Sequence, residues 1–278
     1  MRTAAHNNPA NASGRRRSAA GGINRQLSVK LMPRLDFRTP RIYVEEPLAA
    51  GREIPLDSAP ANHLVNVLRR KSGEPVLVFN GRDGEWRAEL GRSGRRPRIV
   101  VREKTRAQPE AGDLHFLFAP LKHMRLDYLV QKAVEMGVSR LRPVITRHTQ
   151  VTRVNVDRMR ANVVEAAQQC GVLALPAVDA PIAFSQTLAE ADRLLIFCDE
   201  ASDLDSSLEA LRAASQSRSV AVLIGPEGGF AEDERGALLR RANVVRLSLG
   251  PRILRADTAA VAALALVQAT LGDWQRGG

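Results

Sequence analysis

The spacing of apolar residues divides the chain into two parts with different periods. Between residues 41 and 103 they fall in short runs separated by turns. Arg41-Ile42-Tyr43-Val44 reads as a first strand, and Pro75-Val76-Leu77-Val78-Phe79 as a second that stops at the turn signal Asn80-Gly81. In Glu85-Trp86-Arg87-Ala88-Glu89-Leu90 apolar and polar residues alternate, the two-residue period of a half-buried strand. Arg98-Ile99-Val100-Val101-Arg102 is the last strand of the group, and one helix is predicted from about Pro60 to Leu68. The pattern predicts a small β-barrel-like domain over residues 40–105. The stretch Lys104 to Asp113 is polar, contains Pro109 and Gly112 and has no apolar period, so residues 106–113 are read as a linker.

Beyond it the period lengthens. Leu114-His115-Phe116-Leu117-Phe118 is a short apolar strand, after which Leu126, Leu129, Val130, Ala133 and Val134 recur at helical spacing until Gly137. A strand at Leu141 to Ile145 and a helix from about Val156 to Cys170 follow. Strands are predicted at Leu194 to Cys198, Val220 to Ile224 and Val244 to Leu247, and an Ala-rich helix from about Thr258 to Leu271. The run Val220 to Ile224 is wholly apolar, as a strand buried on both faces of a parallel sheet should be. Alternating strands and helices predict an α/β domain with a mostly parallel sheet over residues 114–274.

Composition changes this picture in two places. Of the net charge of +11, seven units come from residues 1–35 (Arg2, Arg15, Arg16, Arg17, Arg25, Lys30 and Arg34, with no acidic group), which leaves +4 for the rest. Residues 1–39 are therefore expected to be a basic, disordered extension. It reads as a targeting peptide, as an arm adding non-specific RNA affinity, or as an upstream start without a role of its own. Cys170 and Cys198 are the only cysteines and no CxxC or HExxH spacing occurs, so no metal is expected and both thiols read as small core groups in a reducing compartment. No run of eighteen apolar residues and no secretory-type segment is present, and the expected location is the cytoplasm, with no membrane partner.

Two glycine-rich loops follow strands of the α/β part, where ligands of such sheets bind. Gly225-Pro226-Glu227-Gly228-Gly229-Phe230 comes directly after the apolar strand, and Leu249-Gly250-Pro251-Arg252-Ile253-Leu254-Arg255 leads into Asp257, Thr258 and the final helix. Neither is a nucleotide P-loop, for no Gly-Lys-Ser or Gly-Lys-Thr follows, and the GxGxxG fingerprint is absent. Tight structural turns would account for one such loop; two, with Arg252 and Arg255 alongside, favour a ligand site.

These loops closely resemble the cofactor loops of the SPOUT methyltransferases. Within that class the chain resembles the bacterial family that methylates N3 of a uridine in small-subunit (16S) ribosomal RNA. The resemblance extends to Arg41-Ile42-Tyr43-Val44, to His63 with Val67-Leu68-Arg69, to Phe79-Asn80-Gly81, to Gln131 through Val138 and to Glu165 through Gly171, and so covers residues 40 to 274. It implies an N-terminal PUA-like RNA-binding barrel, a C-terminal α/β domain with a deep trefoil knot between about Val220 and Leu271, S-adenosylmethionine as cofactor, and a homodimer. Periodicity alone would predict an ordinary open sheet, since folded chains rarely thread their own loops. Three departures stand out: Asp257 where the family commonly has Glu, Val172 where Arg is usual, and Thr146-Arg147-His148-Thr149 as a loose version of the usual polar loop.

By this resemblance Leu223, Gly225, Glu227, Gly228, Gly229, Leu247, Leu249, Gly250, Ile253, Leu254 and Thr258 would surround the cofactor. Arg255 would stand beside the reacting base, where a guanidinium stabilises the anion formed as uracil N3 loses its proton. Phosphate binding, or pairing with Asp257, is the other reading of Arg255, and Glu227 either orients the cofactor or caps a helix. No His-carboxylate pair presents a general base. The RNA-binding candidates are Arg41, the cluster Arg69, Arg70 and Lys71, then Arg82, Lys122 and Arg125, groups suited to positioning phosphates. Two further functions remain open at this point: the same fold acting on another RNA nucleoside, and a non-catalytic RNA-binding ribosome-assembly protein.

Overall fold

The computed structural model describes residues 36–276 apart from 94–95, 152, 190–191, 201–203 and 215–218. Most of the extension expected over residues 1–39 lies outside the described residues. Five strands build the first sheet: β1 (Arg41–Tyr43), β2 (Glu53–Pro55), β3 (Pro75–Phe79), β4 (Glu85–Ser93) and β5 (Arg96–Arg106), in the order β1-β3-β4-β5-β2. Only the β1–β3 pair is parallel. The expected helix before β3 is a short α1 (Ser58–Asn62) that widens into a π-helical turn over His63–Val67. The alternation seen in the sequence places Ala88 and Leu90 inward with Ile42, Ile54, Leu64, Val76, Val78, Ile99 and Val101 in one small core. β4 and β5 slip register at Glu85/Trp86 and again at Arg87/Ala88, bulges that curl the sheet.

One strand belongs to both cores. In β3, Val76 and Val78 face the small core while Phe79 packs into the large one, with the ring of Tyr43 edge-on at 5.7 Å. The first sheet is thus fastened to the α/β domain along its β1–β3 edge.

The α/β domain runs β6 (Leu114–Phe118), α2 (His123–Glu135), β7 (Arg140–Ile145), α3 (Val156–Cys170), β8 (Ala177–Val178), β9 (Ile182–Ala183), α4 (Phe184–Ala189), β10 (Leu194–Cys198), α5 (Leu204–Ala213), β11 (Val220–Ile224), α6 (Glu232–Leu239), β12 (Val244–Leu247) and α7 (Ala256–Thr270). Its sheet is parallel throughout, in the order β12-β10-β11-β6-β7-β8, with β9 also paired to β7. All five residues of β11 are buried, as their unbroken apolar character requires. Val220, Val222 and Ile224 face a core shared with α2, α3 and α7; Ala221 and Leu223 face a second layer with Phe184 of α4 and Leu238 of α6. Each fully buried Leu or Phe contributes roughly 1.5–3 kcal/mol.

α2 ends where Gly137 adopts φ +73°, a conformation that other residues reach only with strain. The side chain of Gln268 in α7 closes on this turn, its Nε2 donating to Met136 O at 2.6 Å. Although β12 follows β11 in sequence it lies beyond β10, and α7 then returns to pack on β11 and α2.

The RNA-binding reading of Arg41 does not hold. Its guanidinium is buried against Glu85, Nε to Oε2 at 2.6 Å, and also donates to Gln168 O. Arg106 bonds the same carboxylate through Nη2 at 2.8 Å and Nε at 2.9 Å and donates to Gly171 O. Burial raises the pKa of Glu85, but the bonds from Arg106 and Arg41 outweigh it and the net direction is down. A charge buried and paired in this way joins the barrel to the end of α3 and is shut off from a phosphate in solvent.

Candidate functional site

The carboxyl ends of β10, β11 and β12 open on one cavity of about 700 Å³. The two glycine-rich loops form its walls. Gly225, Glu227, Gly229, Leu247, Leu249, Gly250, Ile253, Leu254 and Arg255 all line it, together with Arg252. Gly228 faces a smaller adjoining cavity instead. Leu223 lies one residue too deep, fully buried in the layer with Phe197, and Thr258 is exposed on the first turn of α7 outside both cavities.

Local geometry explains the glycines. A Cβ on Gly225 would stand 2.6 Å from the ring of Phe230, which folds back over the loop. Gly229 turns at φ +69° with its N–H bonded to Pro226 O at 2.9 Å, and Gly250 turns at φ +105°. Each bend leaves bare backbone facing the cavity.

The charged groups fall into two classes. Asp199, buried at the end of β10, is held by Arg235 at 3.0 Å and Arg246 at 2.9 Å, which fixes the floor of the site. Arg125 reaches across from α2 to Glu227 and lies 3.8 Å from Asp257, while remaining half-exposed. It lines both cavities. Arg255, the residue before α7, is exposed at the helix N-terminus. Cys198 also lines the cavity, but burial, reinforced by Asp199, pushes its thiol up to about 12, so it is a neutral wall group rather than a nucleophile.

Of the remaining RNA candidates, Arg69, Lys71, Arg82 and Lys122 are exposed; Arg82 donates to Glu45 O, and Arg70 pairs with Glu74 at 3.3 Å. Arg69 has φ +53°. Sequence reasoning missed Phe197, Asp199 and Arg235 in the main cavity and Gln150 in the smaller one, and named Phe230 and His148 only as members of their loops. The end of β10 was legible as a strand terminus beside the site. The resemblance marked Thr146 to Thr149 only as a loose version of the family's polar loop and gave none of them a role. Among the described residues no three His, Cys, Asp or Glu side chains are grouped to hold a metal, and no helix is long and apolar enough to cross a membrane.

Comparison with known proteins decides the family. The RNA methyltransferase domain family matches residues 108–268, and the RNA methyltransferase PUA domain family residues 56–101. Ribosomal RNA small subunit methyltransferase E of Rickettsia conorii is 31% identical over 230 residues, covering 82% of this chain and 94% of its own. The chain belongs to the ribosomal RNA small subunit methyltransferase E family. Two solved structures agree with this family assignment. A Legionella pneumophila methyltransferase in complex with the bound cofactor SAM is 30% identical, with a TM-score of 0.74 over 84% of this chain and 98% of its own. The Neisseria gonorrhoeae member, bound to S-adenosyl methionine, is 26% identical with a TM-score of 0.74, covering 85% of this chain and 99% of its own. The α/β domain is of the SPOUT type, and the curled five-stranded sheet is the PUA-like domain that accompanies it in this family.

Proposed function

We propose that this chain transfers the methyl group of S-adenosylmethionine to N3 of a uridine in 16S ribosomal RNA, working in the cytoplasm as a homodimer. One observation carries the reading: the cavity walled by Gly225 to Phe230 and Leu249 to Arg255 over the ends of three parallel strands.

The residues present fit the cofactor. Phe197, Leu247, Leu249 and Leu254 offer apolar walls for an adenine ring, and the bare backbone around Gly225, Gly229 and Gly250 can approach it closely. Arg252, Arg255, Glu200 and Glu232 stand near enough to the same space for a charged amino-acid end. When bound, the sulfonium supplies a methyl group that is already electrophilic. The chain then has to orient the base, exclude water and stabilise charge. Arg255, at the positive end of α7, is suited to hold the anion that uracil becomes as N3–H is lost. Exposed Met124 and Tyr128 on α2 and Ile253 on the second loop give a second copy apolar surface beside the site.

Labelled S-adenosylmethionine incubated with small ribosomal subunits, followed by nucleoside mass analysis, tests the reading. Label is expected in N3-methyluridine, and Arg255→Ala should lower the rate by about 10²–10³-fold. Label in another nucleoside would overturn the base assignment. No label on subunits or free RNA would leave an RNA-binding protein that retains the pocket.

A further inference from the structure

A second cavity, of about 280 Å³, adjoins the first and shares Arg125, Pro226 and Glu227 with it. Lys122, His148 and Gln150 complete its polar lining. We infer that this cavity receives the uracil to be methylated and that His148 takes its N3 proton. The inference rests on the proposed function and adds to it a named proton acceptor.

The geometry of His148 selects its tautomer. Nδ1 lies 3.2 Å from Gly228 O and 3.1 Å from Gly229 O. Carbonyl oxygens only accept, so Nδ1 carries the hydrogen and donates, which leaves Nε2 of the neutral ring as the accepting nitrogen. The turn that presents the ring is pinned on both sides. Thr146 N–H donates to Thr149 Oγ1 at 2.9 Å and the two hydroxyls are 2.8 Å apart. Arg147 N–H donates to Glu234 Oε1 at 2.9 Å. A side chain exposed to solvent is thus held in one orientation by its neighbours' backbone bonds, the preorganisation a proton acceptor needs.

The lining also matches one base. The pairing edge of uracil presents an acceptor, the N3–H donor and a second acceptor. A cavity lined by an accepting Nε2 together with the ammonium of Lys122 and the guanidinium of Arg125, groups that only donate, offers one acceptor and two donors to match that edge. Cytosine would set its N3 lone pair against the imidazole lone pair. In the step itself the N3 proton passes to Nε2 and the freed N3 electron pair forms the bond to the methyl carbon. The methyl–sulfur bond breaks with its pair remaining on sulfur, and the imidazolium then gives its proton to water. Lys122 and Arg125 line this cavity and would meet the negative charge that develops on O2 and O4, with Arg255 acting from the adjoining cavity that shares Arg125.

The test compares wild type with His148→Ala on small subunits reconstituted from 16S RNA transcribed with uridine or with 5-fluorouridine, whose N3–H is more acidic. His148→Ala should lose about 10²-fold in rate on the uridine substrate. It should bind S-adenosylmethionine and the subunits as wild type does by calorimetry. Added imidazole should restore turnover, and the gap to wild type should narrow on the fluorinated RNA. Loss of RNA affinity with equal rate losses on both RNAs and no response to imidazole would make His148 a phosphate or packing contact and overturn the inference. Wild-type activity matched by the variant would also overturn it while the functional reading stands. No N3-methyluridine from wild type would remove both.

Discussion

Two clusters in this molecule use the same chemistry, arginine on carboxylate, to opposite ends. At the seam between barrel and α3, Glu85 is bonded by Arg41 and Arg106, and both the carboxylate and Arg41 are buried. At the mouth of the cavities Arg125 sits between Glu227 and Asp257, half in solvent and facing two open spaces. Exposure separates a fastening from a working group. A buried carboxylate whose bonds are all internal can only hold the structure together, whereas an arginine positioned by carboxylates and still open to a cavity can meet a substrate.

The largest effect expected from breaking this comparison is at the seam. Glu85→Ala leaves two guanidinium groups with no counter-charge, and removing one member of a buried pair costs about 3–5 kcal/mol. Chemical denaturation at neutral pH should show that loss, with the residual folded protein still binding cofactor. The pH dependence has a defined sign. Because the folded pKa of Glu85 lies below its ordinary value of 4.5, its contribution is complete above that value and is lost as pH falls through the folded pKa. His115 acts in a higher window. Burial, then Arg193, brings its imidazole down to about 4 from 6.5, so stability falls as pH drops between those values. A variant lacking Glu85 should keep the upper loss and show a smaller lower one, because Asp36, Asp83, Asp113 and Asp179 are also held below their ordinary values; an unchanged acid profile would show that the seam carries no such charge.

The second effect is at the mouth. Arg125→Ala should lower kcat/KM by about 10²-fold, a change of roughly 2.7 kcal/mol in transition-state stabilisation. Its unfolding midpoint should hardly move, because the pair with Glu227 is largely solvated. A large stability loss with intact turnover would place Arg125 with the seam instead.

Much of the fold was legible because its elements carry strong local periods. The apolar run of β11, the boundaries of α3 at Val156 and Cys170, and the break at Gly137 all follow from short-range chemistry. Elements with thin apolar faces were missed. β2 has only Ile54 pointing inward, and α6 opens on Glu232-Asp233-Glu234 and buries little beyond Leu238. The two loops of the site were found through their glycines. Arg41 was misread because its partner, Glu85, lies 44 residues away, and His148 was passed over because the carbonyls that orient it lie about 80 residues away. Charge and polarity show in a sequence, but what consumes them is settled by tertiary contact.

The smallest expected effect sharpens the contrast most. Glu227→Gln removes the charge facing Arg125 but keeps the side chain's length and an oxygen acceptor. The carboxylate is about half exposed, with a relative side-chain accessibility of 52%, so the pair should contribute under about 1 kcal/mol to folding. Thermal unfolding should therefore change little. If Glu227 serves to hold Arg125 at the junction of the two cavities, the variant's rate should fall more than its stability does, and by less than in Arg125→Ala, because Asp257 still attracts the guanidinium from 3.8 Å. Equal rate losses in the two variants would make Glu227 a direct participant. No loss at all would leave Asp257 as the carboxylate that positions Arg125.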